Sequence, residues 1–211
     1  MKILKTLQIT LLLLSVITAT LFISSCSNDD NNNSDLTNST EINQIDTGAL
    51  LFMLEEEKLA RDTYTFLDSK WNINQFANIK KSEQSHMDAI IKLLEQYNIS
   101  YTILPYGEFA EDNLQSYYNQ FIENGQINQI NALQIGATIE DLDIVDLEEY
   151  IKKTTNSSII SVFESLQCGS ENHLRAFVSS IENSGSTYTS QFLTEENYNL
   201  IISGTNEKCN L

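Results

Sequence analysis

Proline occurs once in the 211 residues and glycine only seven times. A β-sandwich needs a turn about every 8–12 residues, and a chain this poor in turn residues does not supply them. Positive charge is scarce as well: 12 Lys and Arg stand against 29 Asp and Glu, a formal net charge of −17. Such a chain does not bind nucleic acid through phosphate contacts, and it repels anionic lipid headgroups. No internal repeat recurs at a solenoid period, and no four-cysteine electron-transfer module is present. What the chain does have is 41% hydrophobic residues, enough for one packed core in one domain of ordinary size. The composition points to a helical protein.

The first 25 residues hold Lys2 and Lys5 and no acid, so the remainder is more acidic still. Leu7 to Ile23 is a mostly apolar run containing Gln8, Thr10, Ser15, Thr18 and Thr20. Its 17 residues fall short of the roughly 20 that a membrane span needs. Ile23-Ser24-Ser25-Cys26 follows, which resembles the lipobox of bacterial lipoproteins, where the cysteine is acylated with fatty acids such as palmitate and becomes residue one. An ordinary cleavage site has no use for that cysteine. The expectation is a signal peptide over 1–25, Cys26 as lipid anchor, and a chain held outside the cytoplasm in the cell envelope, on the outer membrane. Several acyl chains on one cysteine suffice for stable anchoring. Residues 26–45 are rich in Asn, Asp and Ser and read as a flexible tether to a domain over 46–211. Asp29-Asp30 resembles the export signal of some surface-exposed lipoproteins, and serves solubility equally well.

From Asp46 onward apolar residues recur every three to four positions. Long helices are expected over about 48–69, 75–97, 128–153 and 157–183, with a short helix at 113–123 and a last one at 195–202. Pro105 and Gly107 mark the loop before the short helix. Four long helices with one apolar stripe each make an all-α four-helix bundle, with one helix inserted and one at the C-terminus.

The informative residues interrupt these stripes. The first helix reads Leu50, Met53, Glu57, Ala60, Tyr64, Leu67. The second reads Ile79, Glu83, His86, Ile90, Leu93, and the third Leu133, Gly136, Glu140, Ile144, Leu147, Ile151. On the fourth, His173 shares a face with Leu166, Ser170, Phe177 and Ile181. Unpaired carboxylates in an apolar interior cost several kcal/mol each, so three of them with two imidazoles call for a common partner, a metal ion. Glu83-x-x-His86 puts both ligating groups on one helix face a turn apart. Di-metal carboxylate bundles use one Glu from each of two helices and Glu-x-x-His from each of the others.

Here the chain becomes recognisable. Glu57-Lys58-Leu59-Ala60-Arg61-Asp62-Thr63-Tyr64 resembles the first helix of rubrerythrin-type ferritin-like proteins. With Ser82-Glu83-Gln84-Ser85-His86-Met87, Glu140-Asp141-Leu142-Asp143-Ile144 and Gly169-Ser170-Glu171-Asn172-His173-Leu174-Arg175-Ala176-Phe177, residues 46–203 are similar to an uncharacterised bacterial ferritin-like family, domain of unknown function 2202. The resemblance implies a ferritin-like bundle and no established reaction. One departure bears on the metal count: Ser170 stands where the full pattern has Glu. Glu164 lies on the opposite face of its helix and cannot substitute, whereas Asp143, one turn after Glu140, is the alternative source of the oxygen.

Milder readings stand beside these. Glu57 could pair with Arg61 as an i,i+4 salt bridge, Glu83 and His86 could form a plain hydrogen-bonded pair, and His173 could be an ordinary core histidine. The acids around Glu140 (Asp141, Asp143, Asp146, Glu148, Glu149) read mostly as a solvated face. Arg61 and Arg175 either orient ligand carboxylates from a second layer or balance charge, and Tyr64 is core or supports the site. Three functions fit. The first is a di-iron or mixed-metal oxidoreductase acting on peroxide or Fe(II), with Mn also suited to carboxylates and Zn to imidazoles, and with its reductant supplied from outside. The others are a bundle stapled by one structural metal and an interaction module with an empty polar core. No feature indicates the oligomeric state. Cys168 and Cys209 remain after lipidation, either as a disulfide permitted outside the cytoplasm or as a buried residue and a free thiol.

Overall fold

The computed structural model describes residues 42–210. The proposed signal peptide, the lipidated Cys26 and most of the tether lie outside the described residues. Six helices and no strands are present among the described residues: α1 (Gln44–Trp71), α2 (Asn74–Gln96), α3 (Asp112–Gly125), α4 (Gln129–Lys153), α5 (Ser157–Asn183) and α6 (Glu195–Ser203). No described helix is long and apolar enough to cross a membrane.

Local chemistry sets the helix ends. α1 begins at Gln44 rather than near 48, because Asn43 and Asp46 form a reciprocal capping box. It stops at Asn72, whose left-handed φ of 51° lets its N–H close on Asp68. Asn128, Asn156 and Thr194 cap α4, α5 and α6 through their side-chain oxygens. Gly185, at φ 78°, takes the chain out of α5.

The two-residue link between α1 and α2 and the three-residue link between α4 and α5 make two antiparallel hairpins. α1 also packs on α4, and α2 on α5, which closes a four-helix bundle. The long crossover from α2 to α4 carries α3, which lies against α1 and α4, while α6 rests on α5. Cys168 on α5 and Cys209 are joined by a disulfide with Cα atoms 5.7 Å apart.

The bundle core is split in two. Leu50, Met53, Met87, Ile90, Leu147, Phe163 and Leu166 belong to one buried cluster. Tyr64, Phe76, Ile79, Leu133, Ala137, Phe177 and Ile181 belong to the other. Between Met53 and Ala60, Ile79 and Met87, Ile139 and Leu147, and Leu166 and Leu174, each helix passes from one cluster to the other. Glu57, Glu83 with His86, and Ser170 with His173 occupy those crossings, and Glu140 lies one turn before Ile144, after which α4 crosses. The polar residues thus form one layer through the middle of the bundle.

Candidate metal centre

Glu57, Glu83 and His86 are each 1% exposed and Glu140 is 2% exposed, so none can rely on water to satisfy its charge. The His173 side chain retains 12% exposure. His86 Nδ1 lies 3.1 Å from Glu57 Oε2 and 2.9 Å from Glu83 Oε2. His173 Nδ1 lies 3.0 Å from Glu83 Oε1 and 3.4 Å from Glu140 Oε2. The two imidazoles stack with centroids 5.7 Å apart. Glu83 therefore faces one histidine with each oxygen. Two sets of ligating atoms, Glu57/Glu83/His86 and Glu83/Glu140/His173, each fall within 4.8 Å, and they share Glu83.

The close pairs are not all hydrogen bonds. His173 Nδ1 and Glu83 Oε1 are buried with no hydrogen-bond partner despite lying 3.0 Å apart, and Glu57 Oε1 is buried without a partner as well. Buried polar atoms left this way cost about 1–3 kcal/mol each. Imidazole nitrogens and carboxylate oxygens gathered this closely are a donor set that fits divalent cations. The residues present suit the metal that the ferritin-like resemblance implies.

Neighbours hold the donors in place. Tyr64 donates to Glu140 Oε1 at 2.5 Å and to the Gly136 carbonyl at 3.3 Å. Ser82 Oγ lies 3.4 Å from His86 Nε2. A Cβ at Gly169 would meet His86 Nε2 at 2.8 Å, so only glycine leaves room for that ring. Gly136 likewise makes way for Phe177, whose ring packs on Tyr64 and Phe76. Ser170 donates to Asp143 Oδ2 at 2.5 Å, while Asp143 Oδ1 is buried without a partner. Asp143 stands beside the ligands but belongs to neither close set.

Electrostatics show what a cation would displace. Burial pushes Glu57 up, Asp143 adds to the rise, and His86 opposes it. Burial acts against charged Glu83 too, but His173 and His86 outweigh it and hold Glu83 well below the usual carboxylate range. Burial disfavours charge on both histidines, yet Glu57 and Glu83 raise His86, and Glu83 and Glu140 push His173 up to about 10. Burial raises Glu140 against the pull of His173. It drives Asp143 up to about 8 although the Ser170 hydrogen bond opposes it. These upward shifts favour protons on the layer, and a cation bound there would displace them.

Several residues sit otherwise than the sequence suggests. Arg61 donates to Asp62 and Gln84, and no hydrogen bond or ion pair joins it to Glu57. Arg175 turns toward the C-terminal segment, donating to Ile201 O at 3.0 Å and to Asn172 Oδ1 at 2.8 Å. The acids flanking Glu140 are not mainly a solvated face, which corrects the expectation: Asp141 and Asp143 are buried. Asp141 accepts from Tyr188 OH and from the N–H groups of Gln191, Phe192 and Leu193, which pins the segment leading into α6.

Two features were missed. Lys58 is buried, bonded to Asp62 at 2.8 Å and to the carbonyls of Pro105 and Glu108. Asp62 also accepts from Gly107 N, so half of the Glu57–Asp62 motif clamps the crossover loop. The i,i+4 spacing of Lys58 and Asp62 was the available signal. Glu56 is buried as well; its row on α1 (Phe52, Glu56, Leu59, Thr63, Phe66) forms a second, weaker stripe.

A family model described as "Uncharacterized protein domain (DUF2202)" matches residues 46–205. The chain is 46% identical over 169 residues to "Uncharacterized protein MJ0754" of Methanocaldococcus jannaschii, an alignment spanning 79% of this chain and 91% of that protein. The crystal structure of hypothetical protein MJ0754 superimposes with a TM-score of 0.78, covering 79% of this chain and 97% of that one. The resemblance had suggested a bacterial family, and this relative extends it to an archaeon. Since the matched span takes in all six helices but the first two residues of α1, the chain belongs to the DUF2202 family, with a helical bundle consistent with the ferritin-like fold.

Proposed function

We propose that this protein is a lipid-anchored envelope protein whose bundle holds two metal ions, and that it works as a non-haem di-iron oxidoreductase on peroxide or Fe(II). The observation that carries this reading is Glu83, whose two oxygens face different histidines 2.9 and 3.0 Å away. A carboxylate shared between two donor sets suits a pair of adjacent cations better than one. Glu57 and His86 would hold one ion, Glu140 and His173 the other, with Glu83 between them. Redox-active iron there would pass electrons to peroxide, which is reduced to water, or would take them from substrate Fe(II) and hand them to peroxide or dioxygen as the oxidant. Tyr64 keeps Glu140 aimed at the layer through its 2.5 Å bond. The apolar clusters on either side keep water from the ligands, and the reductant comes from another molecule.

A second reading has one observation in its favour. Ser170 in place of a fourth inward glutamate weakens the second position and suits one Zn stapling the bundle. Metal content of the full chain, purified without an affinity tag, decides between them. Two irons per chain and an optical change on adding peroxide are expected. One redox-silent metal would establish the staple, and none after reconstitution would leave an interaction module. The anchor has its own test. Cys26→Ala should leave the precursor uncleaved and unlabelled by fatty acid, and normal labelling of that variant would contradict the lipid anchor.

A further inference from the structure

Glu56 has no part in the donor sets above, yet it is 1% exposed and no hydrogen-bond donor reaches either of its carboxylate oxygens. Its neighbours are acids. Asp146 lies within hydrogen-bonding reach, and Asp143 and Glu57 are close enough to act on its charge. Two carboxylates in that position need either a proton or a cation between them. Asp143, Asp146 and Glu149 step along α4 at intervals of three, and they pass from buried to half-buried to exposed. Beyond burial, Asp146, Glu56, Glu149 and Glu111 all act on the Tyr150 hydroxyl and push it upward. A file of carboxylates thus runs from solvent at Glu149, through Asp146 and Glu56, to Asp143 beside the centre. Lys153 is the cation paired on this file, and it binds Glu149 at the outer end.

We propose that Glu56 and Asp146 form a cation-entry site between α1 and α4, through which a divalent metal ion reaches the Glu57/Glu83/His86 position. The inference rests on the metal-centre reading. A surface carboxylate gathers the hydrated ion, and Glu56 takes it over as water is shed. Asp143, with one oxygen turned to Ser170 and the other without a partner, stands next in line. A row of carboxylates raises the local cation concentration, whereas Lys58 and Arg61, elsewhere on α1, are both paired with Asp62.

The test is the rate at which the metal-free full chain takes up Co(II), read from the visible absorption that appears when imidazole and carboxylate ligate the ion. Glu56→Gln and Asp146→Asn should each slow uptake about tenfold or more while leaving the final amount bound unchanged. Glu195→Gln, which removes the same charge from α6, should leave the rate alone. Circular dichroism checks that each variant is folded, and the half-buried Asp146 provides a second variant should Glu56→Gln not fold. Equal rates in wild type and both variants would overturn the entry site and leave the metal centre standing. A lower final stoichiometry in Glu56→Gln would also overturn it, by making Glu56 a resident ligand. No binding by wild type would remove the centre and its entry site together.

Discussion

Glu83 carries more of the centre than any other residue, because it is the one carboxylate that both histidines share. The titration of its neighbours leads to a prediction with a definite sign. Asp143 takes up its proton near pH 8 in the fold, against about 3.9 in an unfolded chain. His173 holds its proton up to about 10, against about 6.5 unfolded. His86, Glu57 and Glu140 are shifted upward as well. Between about pH 4 and 10 the metal-free folded protein therefore binds more protons than the unfolded chain, so its stability falls as pH rises. Glu83, shifted downward, has the opposite sign, but its contribution is lost only in strong acid. A bound cation replaces those protons, and the slope should then reverse. Urea unfolding at pH 5 and pH 8.5, with and without metal, reads this directly; a metal-free protein that gains stability toward pH 8.5 would contradict it. A second residue-scale prediction concerns Gly169. Its Ala variant places a Cβ 2.8 Å from His86 Nε2 and displaces the ring. Metal affinity should drop about 10–100-fold, the range for a lost supporting contact, with helix content retained in circular dichroism.

At the scale of the element, α1 does the most. One row of its residues faces the Glu/His layer, another reaches α4 through Glu56, and a third holds the crossover through Glu55, Lys58 and Asp62. This breadth explains why α1 buries so many polar groups: it is packed by α2, α3 and α4 together. Lys58→Ala would remove the buried partner of Asp62 and two hydrogen bonds to the loop carbonyls. A loss of about 3 kcal/mol is expected, as for a broken buried pair. Protease cleavage near Pro105–Phe109 should speed up. Unchanged stability in urea would show that Arg61 and Gly107 alone satisfy Asp62.

At the scale of the whole molecule, the disulfide ties the C-terminal tail to the middle of α5. Cys168 adjoins Gly169, so the bridge anchors the chain close to the His86 ring. It closes a loop across a sequence separation of 41, for which the expected stabilisation is about 2–4 kcal/mol. Reduction should lower the urea midpoint accordingly and free α6, which also leans on Arg175 and Asp141. Finding two reactive thiols in denatured, unreduced protein would exclude the bridge.

The six helices, their order and the polar interruptions of four stripes were legible in the amino-acid sequence. Helical period and capping are local properties: residues three and four apart share a face whatever the helix packs against. Glu57, Glu83, His86, Glu140 and His173 stood out because each replaces an apolar residue on such a face. The tertiary structure alone decided what those faces meet. That Glu83 divides its oxygens between two histidines depends on the placement of α2 against α5. That Glu56 is buried beside Asp146, off the main stripe, depends on the packing of α1 against α4. That Arg61 serves Asp62 rather than Glu57, and that Asp141 turns inward to hold the 188–193 segment, depends on loops whose paths carry no periodic signal. Period assigns a residue to a side of its own helix; only the packing of helix against helix assigns it a partner.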